Sequence, residues 1–125
     1  MKNIIATTNA PSAIGPYSQA ISANGMVYTS GQLGIDPATG IIPEGITAQT
    51  RQSLTNVKAI LAQAGLTMDD VIKTTVFLSD MNNFVPMNEV YAEFFTKGNY
   101  PARSAVEVAR LPKDAMVEIE VIAIQ

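Results

Sequence analysis

Residues 116–124 limit what this chain can become more than any other stretch. Their side chains alternate at the two-residue period of a β-strand, so Val117, Ile119, Val121 and Ala123 form one wholly apolar face. The other face carries Met116, Glu118, Glu120, Ile122 and Ile124, neither fully wet nor fully dry. An apolar face of this kind suits covering helices. A mixed one is of the sort that meets another subunit.

The pattern upstream supplies the helices. From about residue 47 to 64, Leu54, Val57, Leu61 and Ala64 recur at helical steps opposite Gln49, Gln52, Thr55 and Lys58, and Gly65 supplies the stop. A second helix starts from a cap at Asp80 or Asn82, tolerates Pro86 in its first turn, presents Phe84, Met87, Val90, Tyr91 and Phe94, and ends at Lys97-Gly98. Strands are expected over residues 2–6, 17–23, 26–30, 71–79 and 102–109, with Asn24-Gly25 as a hairpin turn and Gly31 closing the third strand. The order β-β-β-α-β-α-β-β has no repeat and no linker. It predicts an α+β fold: a single domain over residues 1–125, one mixed sheet with two helices on one face.

Composition narrows the chemistry. The chain has no Cys and no His, which excludes disulfides, thiolate nucleophiles, sulfur-ligated metals, Ser-His-Asp triads and His-assisted zinc sites. Gly31-Gln32-Leu33-Gly34 lacks the spacing of a phosphate loop or a dinucleotide fingerprint. With a net charge of −3 and eight scattered basic residues, no basic stripe for nucleic acid is visible. No apolar run approaches a membrane span, and the N-terminal stretch is too weakly charged and too short for a signal peptide. The expectation is a soluble, cytoplasmic protein that works with carboxylates, Arg, Lys, Tyr, hydroxyls and backbone groups, without metal or cofactor.

Within Tyr100-Pro101-Ala102-Arg103-Ser104-Ala105-Val106-Glu107, the arginine shares a strand face with Ala105 and Glu107. Small neighbours leave room around its planar fork, which suits a carboxylate or phosphate. A structural Arg103–Glu107 pair, or a solvated edge, is the competing reading.

Together, Ile14-Gly15-Pro16-Tyr17-Ser18-Gln19-Ala20, Thr29-Ser30-Gly31-Gln32, residues 71–80, Pro101-Ala102-Arg103-Ser104 and Glu107-Val108-Ala109-Arg110-Leu111-Pro112 resemble the Rid family, most closely its RidA branch. The resemblance runs the length of the chain in the right order. It implies a fold similar to the trimeric chorismate mutases, with three sheets around a barrel-like centre and a pocket in each cleft between subunits. It also implies an activity: hydrolysis of 2-aminoacrylate or 2-iminobutanoate, released by pyridoxal-phosphate enzymes, to a 2-keto acid and ammonia. By that resemblance Arg103 falls on the carboxylate-binding position and Glu118 on the water-handling one, with Glu120 able to exchange roles with it. Tyr17, Ser30, Gly31 and Asn88 fall on pocket-lining positions. Two departures stand out. Ala105 replaces the family's usual Cys, leaving its backbone carbonyl as the group able to hold a water, and the segment between Phe95 and Pro101 is short. A regulatory module that binds a carboxylate metabolite without turning it over, and a ribonuclease or translation inhibitor, are the other functional classes.

Overall fold

The alternating C-terminal segment is paired on both edges. A computed structural model describes residues 1–125, with strands β1 (Asn3–Ile5), β2 (Ala20–Ala23), β3 (Met26–Thr29) and β4 (Gln32–Leu33), helix α1 (Ile46–Gln63), strand β5 (Val71–Leu78), helix α2 (Phe84–Glu93), and strands β6 (Ala102–Glu107) and β7 (Val117–Ile124). The sheet runs β1-β2-β3-β7-β5-β6, with the short β4 also on β7. Its neighbours are antiparallel except β5 and β6, which lie parallel because α2 provides the crossover between them. This is the expected α+β arrangement, one mixed sheet with two helices.

Val117, Ile119 and Ala123 are 0 % exposed and cluster with Leu54, Val57, Ile60 and Leu61 of α1 and Val76 and Leu78 of β5. Each large aliphatic side chain among them contributes roughly 1.5–3 kcal/mol by leaving water, which fixes the face β7 turns to the helices. Tyr91 and Phe95 join the same cluster, so α2 and the turn after it cover the same face.

The helical period misassigns one flank of α1. Gln49, expected on the wet face, is buried, as are Thr50, Ser53 and Asn56. Three of these four side chains bond backbone groups that the sheet leaves over. The Ser53 hydroxyl donates to the Gln32 carbonyl (2.7 Å), and the Asn56 amide donates to the carbonyls of Leu33 (3.1 Å) and Ile35 (2.9 Å). The Gln49 side-chain oxygen accepts the Met116 N–H at 2.8 Å. Gly34 permits this approach, because a Cβ there would lie 2.5 Å from the Gln49 carbonyl oxygen. A polar stripe on the helix thus completes the backbone bonding of a strand too short to complete its own.

Other boundaries shift for local reasons. The strand expected from residue 17 begins at Ala20, because Tyr17 turns back to bond the Gly15 carbonyl (2.8 Å). Gln19 is buried, its amide donating to the Thr7 and Pro11 carbonyls at 3.0 and 2.7 Å, which straps the N-terminal loop to the sheet. The strand carrying Arg103 stops at Glu107, short of residue 109. Helix α2 ends at Glu93, not at Lys97-Gly98, and Phe95 drops into the core beyond it. A single 3-10 turn, Met81–Asn83, precedes α2, with the Asp80 carboxylate accepting the Asn82 N–H (2.9 Å).

Asn56→Ala strands two carbonyls and is expected to cost about 2–4 kcal/mol in urea unfolding. Thr50→Val removes a buried hydroxyl that has no hydrogen-bond partner and is expected to be neutral or stabilising by the same measurement.

Candidate functional site

Two clefts hold the candidate residues, and each follows from a local feature of the sheet. The first lies where β3 gives way to β4. Tyr28 opposes Ile122 and Gln32 opposes Ile119, so residues 29–31 face residues 120–121 with one residue in excess. This is bulge geometry, and Gly31 interrupts the strand rather than closing it. The Thr29 hydroxyl accepts the Val121 N–H (3.0 Å) and satisfies the donor that the bulge frees. The Glu118 side chain then lies across the Gly31 backbone: a Cβ on Gly31 would fall 2.5 Å from Glu118 Oε1 and 2.9 Å from its Cγ. Any larger residue would force the Glu118 side chain out of this position.

Tyr17, Ser30, Gly31 and Glu118 line one cleft of about 430 Å³, with Pro112 and Lys113 on another wall. Tyr17 is 51 % exposed, so its ring is not a core residue. The Ser30 hydroxyl donates to the Ser18 carbonyl at 2.6 Å, leaving its oxygen free to accept. Burial raises the Glu118 pKa, and the nearby Glu120 carboxylate raises it further. Glu120 itself opposes Thr75 and lines a separate depression with Lys73 and Ile122. Of the two acids, Glu118 is the one that lines the cleft with Tyr17, Ser30 and Gly31.

The second cleft lies between β6 and α2 and is lined by Asn88, Tyr91, Ala92, Tyr100, Pro101 and Arg103. Phe84, Asn88 and Tyr91 recur at four- and three-residue steps along α2 and meet the arginine as one stripe. Arg103 Nη1 donates to Asn88 Oδ1 at 2.7 Å, and the guanidinium carbon sits 4.7 Å from the Tyr91 ring centre and 5.4 Å from that of Phe84. The Arg103–Glu107 pair does not form; Glu107 accepts the Met81 N–H (2.8 Å) instead. The chain's two ion pairs, Arg51–Glu93 and Arg110–Asp114, leave Arg103 without a carboxylate partner. Burial raises the Tyr91 pKa against smaller opposing effects of Thr74 and Arg103, so the phenol beneath the guanidinium stays neutral. Ala105, half-buried on the Arg103 face, sits opposite Val76.

Sheet register sets the face carrying Arg103 apart from the mixed face of β7. Arg103 opposes Thr74, which opposes Val121 on the helix-covered side, whereas Glu118 opposes Phe77 on the other side. Within one chain the structure brings Tyr17, Ser30, Gly31 and Glu118 together, and separately Asn88 and Arg103. It does not join the two groups. Phe84 and Tyr91, expected only as apolar residues of the second helix, belong to the arginine's surroundings. The available signal was the polar Asn88 between them on one helical stripe.

Residues 7–125 match the endoribonuclease L-PSP family. The chain belongs to this family, which includes the Rid proteins. It is 56% identical over 127 residues to a 2-iminobutanoate/2-iminopropanoate deaminase of Salmonella typhimurium, covering 100% of this chain and 99% of that protein. Its structure is similar to that of Escherichia coli TdcF with bound serine (TM-score 0.94, 52% identity, 98% of each chain). It is also similar to the Rid family protein YyfA of Yersinia pestis (TM-score 0.97, 55% identity, 100% of each chain).

The raised Glu118 pKa has a signed consequence for stability. Folding tightens this carboxyl's hold on its proton, so its contribution is full below the ordinary glutamate range and is lost as pH rises through the raised value. Glu118→Gln is therefore expected to melt higher than the parent near pH 8, with the gap closing below about pH 4. Equal melting temperatures at about pH 8 would contradict this assignment of the shift.

Proposed function

We propose that this chain is an enamine/imine deaminase that hydrolyses 2-iminobutanoate and 2-iminopropanoate, and their 2-aminoacrylate-type precursors, to 2-keto acids and ammonia. The observation that carries the reading is the unpaired guanidinium of Arg103, held on aromatic rings with its fork open to a small carboxylate. A carboxylate bound there leaves the C=N carbon of a 2-imino acid pointing away from the arginine. Water adds to that carbon and gives up a proton as the C–O bond forms. The nitrogen takes up that proton, then the carbinolamine hydroxyl gives up its own proton to the nitrogen as the C=O bond forms and the C–N bond breaks, so ammonia leaves behind the 2-keto acid. Glu118 takes the water's proton: a carboxylate with a raised pKa is the stronger base, and Gly31 leaves room for its side chain. Tyr17, Ser30 and the Ala105 carbonyl supply polar contacts around the reacting atoms. The iminium carbon is already electrophilic, so orientation and proton handling are the whole of the protein's task.

Arg103 and Glu118 lie on opposite faces of one sheet, so a site that uses both draws them from different copies of the chain. We infer a homotrimer in which Arg103, Asn88 and Ala105 of one copy face Tyr17, Ser30, Gly31 and Glu118 of the next. Cyclic closure completes three equivalent sites and covers the mixed face of β7 around a barrel-like centre. The inferred compartment is the cytoplasm; no helix is long and apolar enough to cross a membrane. The family's ribonuclease description has less support in this chain, which carries a net charge of −3 and no His for acid–base cleavage.

With an amino-acid oxidase supplying the imine, Arg103→Ala is expected to lower kcat/KM by roughly a hundredfold or more. Glu118→Gln is expected to lower kcat by about 10²–10⁴ with little loss of carboxylate binding. Parental turnover in a folded, trimeric Arg103→Ala variant would refute the assignment. Light scattering is expected to give a trimer mass, and a monomer at micromolar concentration would refute the shared site.

A further inference from the structure

Resting on the reading of Arg103 as the substrate-carboxylate ligand, we propose that Tyr91 is its positioning residue: the ring, locked by Thr74, sets the plane in which the guanidinium presents its free N–H groups. Arginine has many rotamers, and Arg103 stands exposed on an edge strand. The Asn88 bond fixes a single nitrogen, which leaves the fork free to swing about that point. Contact with a ring face removes this freedom, and at 4.7 Å the Tyr91 ring is the nearer of the two beside the guanidinium.

Tyr91 is itself fixed from two directions. Its hydroxyl and that of Thr74 are 2.8 Å apart, and the Phe95 ring lies 4.7 Å away at an interplanar angle of 38°. Thr74 is the residue directly opposite Arg103 across β5 and β6, so the anchor of the ring and the root of the arginine sit on hydrogen-bonded strands. That is a short, stiff connection. Thr74 is 0 % exposed and Tyr91 is 5 % exposed. Filling this volume requires no polar group; valine and phenylalanine fit the same space. The paired hydroxyls instead hold the ring at one height and tilt under the guanidinium.

The test measures KM and kcat with 2-iminobutanoate, and Kd for 2-oxobutanoate as a non-reacting probe, on variants shown to share the parental assembly. Tyr91→Leu removes the platform and is expected to raise KM and Kd about tenfold or more while kcat falls less than about threefold. Tyr91→Phe keeps the ring but loses its hydroxyl bond to Thr74, and is expected to raise KM about threefold, as Thr74→Val does, with kcat near parental. If the leucine variant does not fold, Thr74→Val releases the ring at constant volume and is expected to raise KM about threefold. Parental KM in folded Tyr91→Leu, or in Thr74→Val where that is the variant available, overturns the proposal. With Arg103→Ala still impaired, that result leaves the deaminase reading intact. Parental KM in Arg103→Ala overturns both.

Discussion

The alternation in β7 is the constraint on which the rest depends. Val117, Ile119, Val121 and Ala123 are buried between the strands and α1, and β7 is hydrogen-bonded to β3, β4 and β5. A one-residue slip would bury Glu118 and Glu120 against the helices and expose these apolar side chains. At about 1.5–3 kcal/mol for each large aliphatic side chain, and more for an unpaired buried carboxylate, that alternative is closed. The hydrophobic effect, acting on residues with no chemical role, therefore decides that both acids face away from the helices.

Strand pairing turns that placement into a cleft. One surplus residue between β3 and β4 opens the ladder beside Glu118, and Gly31 stands where any side chain would collide with the carboxylate. The irregular segment persists because α1 satisfies it through Ser53 and Asn56, and because Gln19 and Ser30 tie down the loop that carries Tyr17. Polar residues buried in the helix flank are thus part of the support of the site. The same packing that half-buries Glu118 raises its proton affinity, so its place in the sheet and its ionisation share one cause.

The arginine obeys the opposite geometry. Strand β6 lies parallel to β5 at the sheet edge, and its register sends Arg103 toward α2 instead of toward the acids. The guanidinium then finds rings and an amide, not a carboxylate. An arginine supported in this way keeps its charge available to a ligand, whereas an ion pair would have consumed it. Separation of arginine and acid within one chain is also what makes association necessary to the proposed chemistry.

Much of this was legible in the residues. Period-two and period-3.6 patterns located both helices and the long strands, and the alternation of β7 named the buried face residue by residue. Family motifs pointed to Arg103, Glu118, Tyr17, Ser30, Gly31 and Asn88. Burial of Gln49, extension of the line of β3 into β4 past Gly31, and the end of α2 at Glu93 escaped this reading. Periodicity reports the average face of an element, while these features depend on a partner distant in sequence: the Met116 N–H for Gln49, β7 for β4, the core pocket for Phe95. The same reason hid the contact of Tyr91 with Arg103 and the opposition of Arg103 and Glu118. A strand's sequence determines which of its side chains share a face; only pairing with β5 decides which side of the sheet that face becomes.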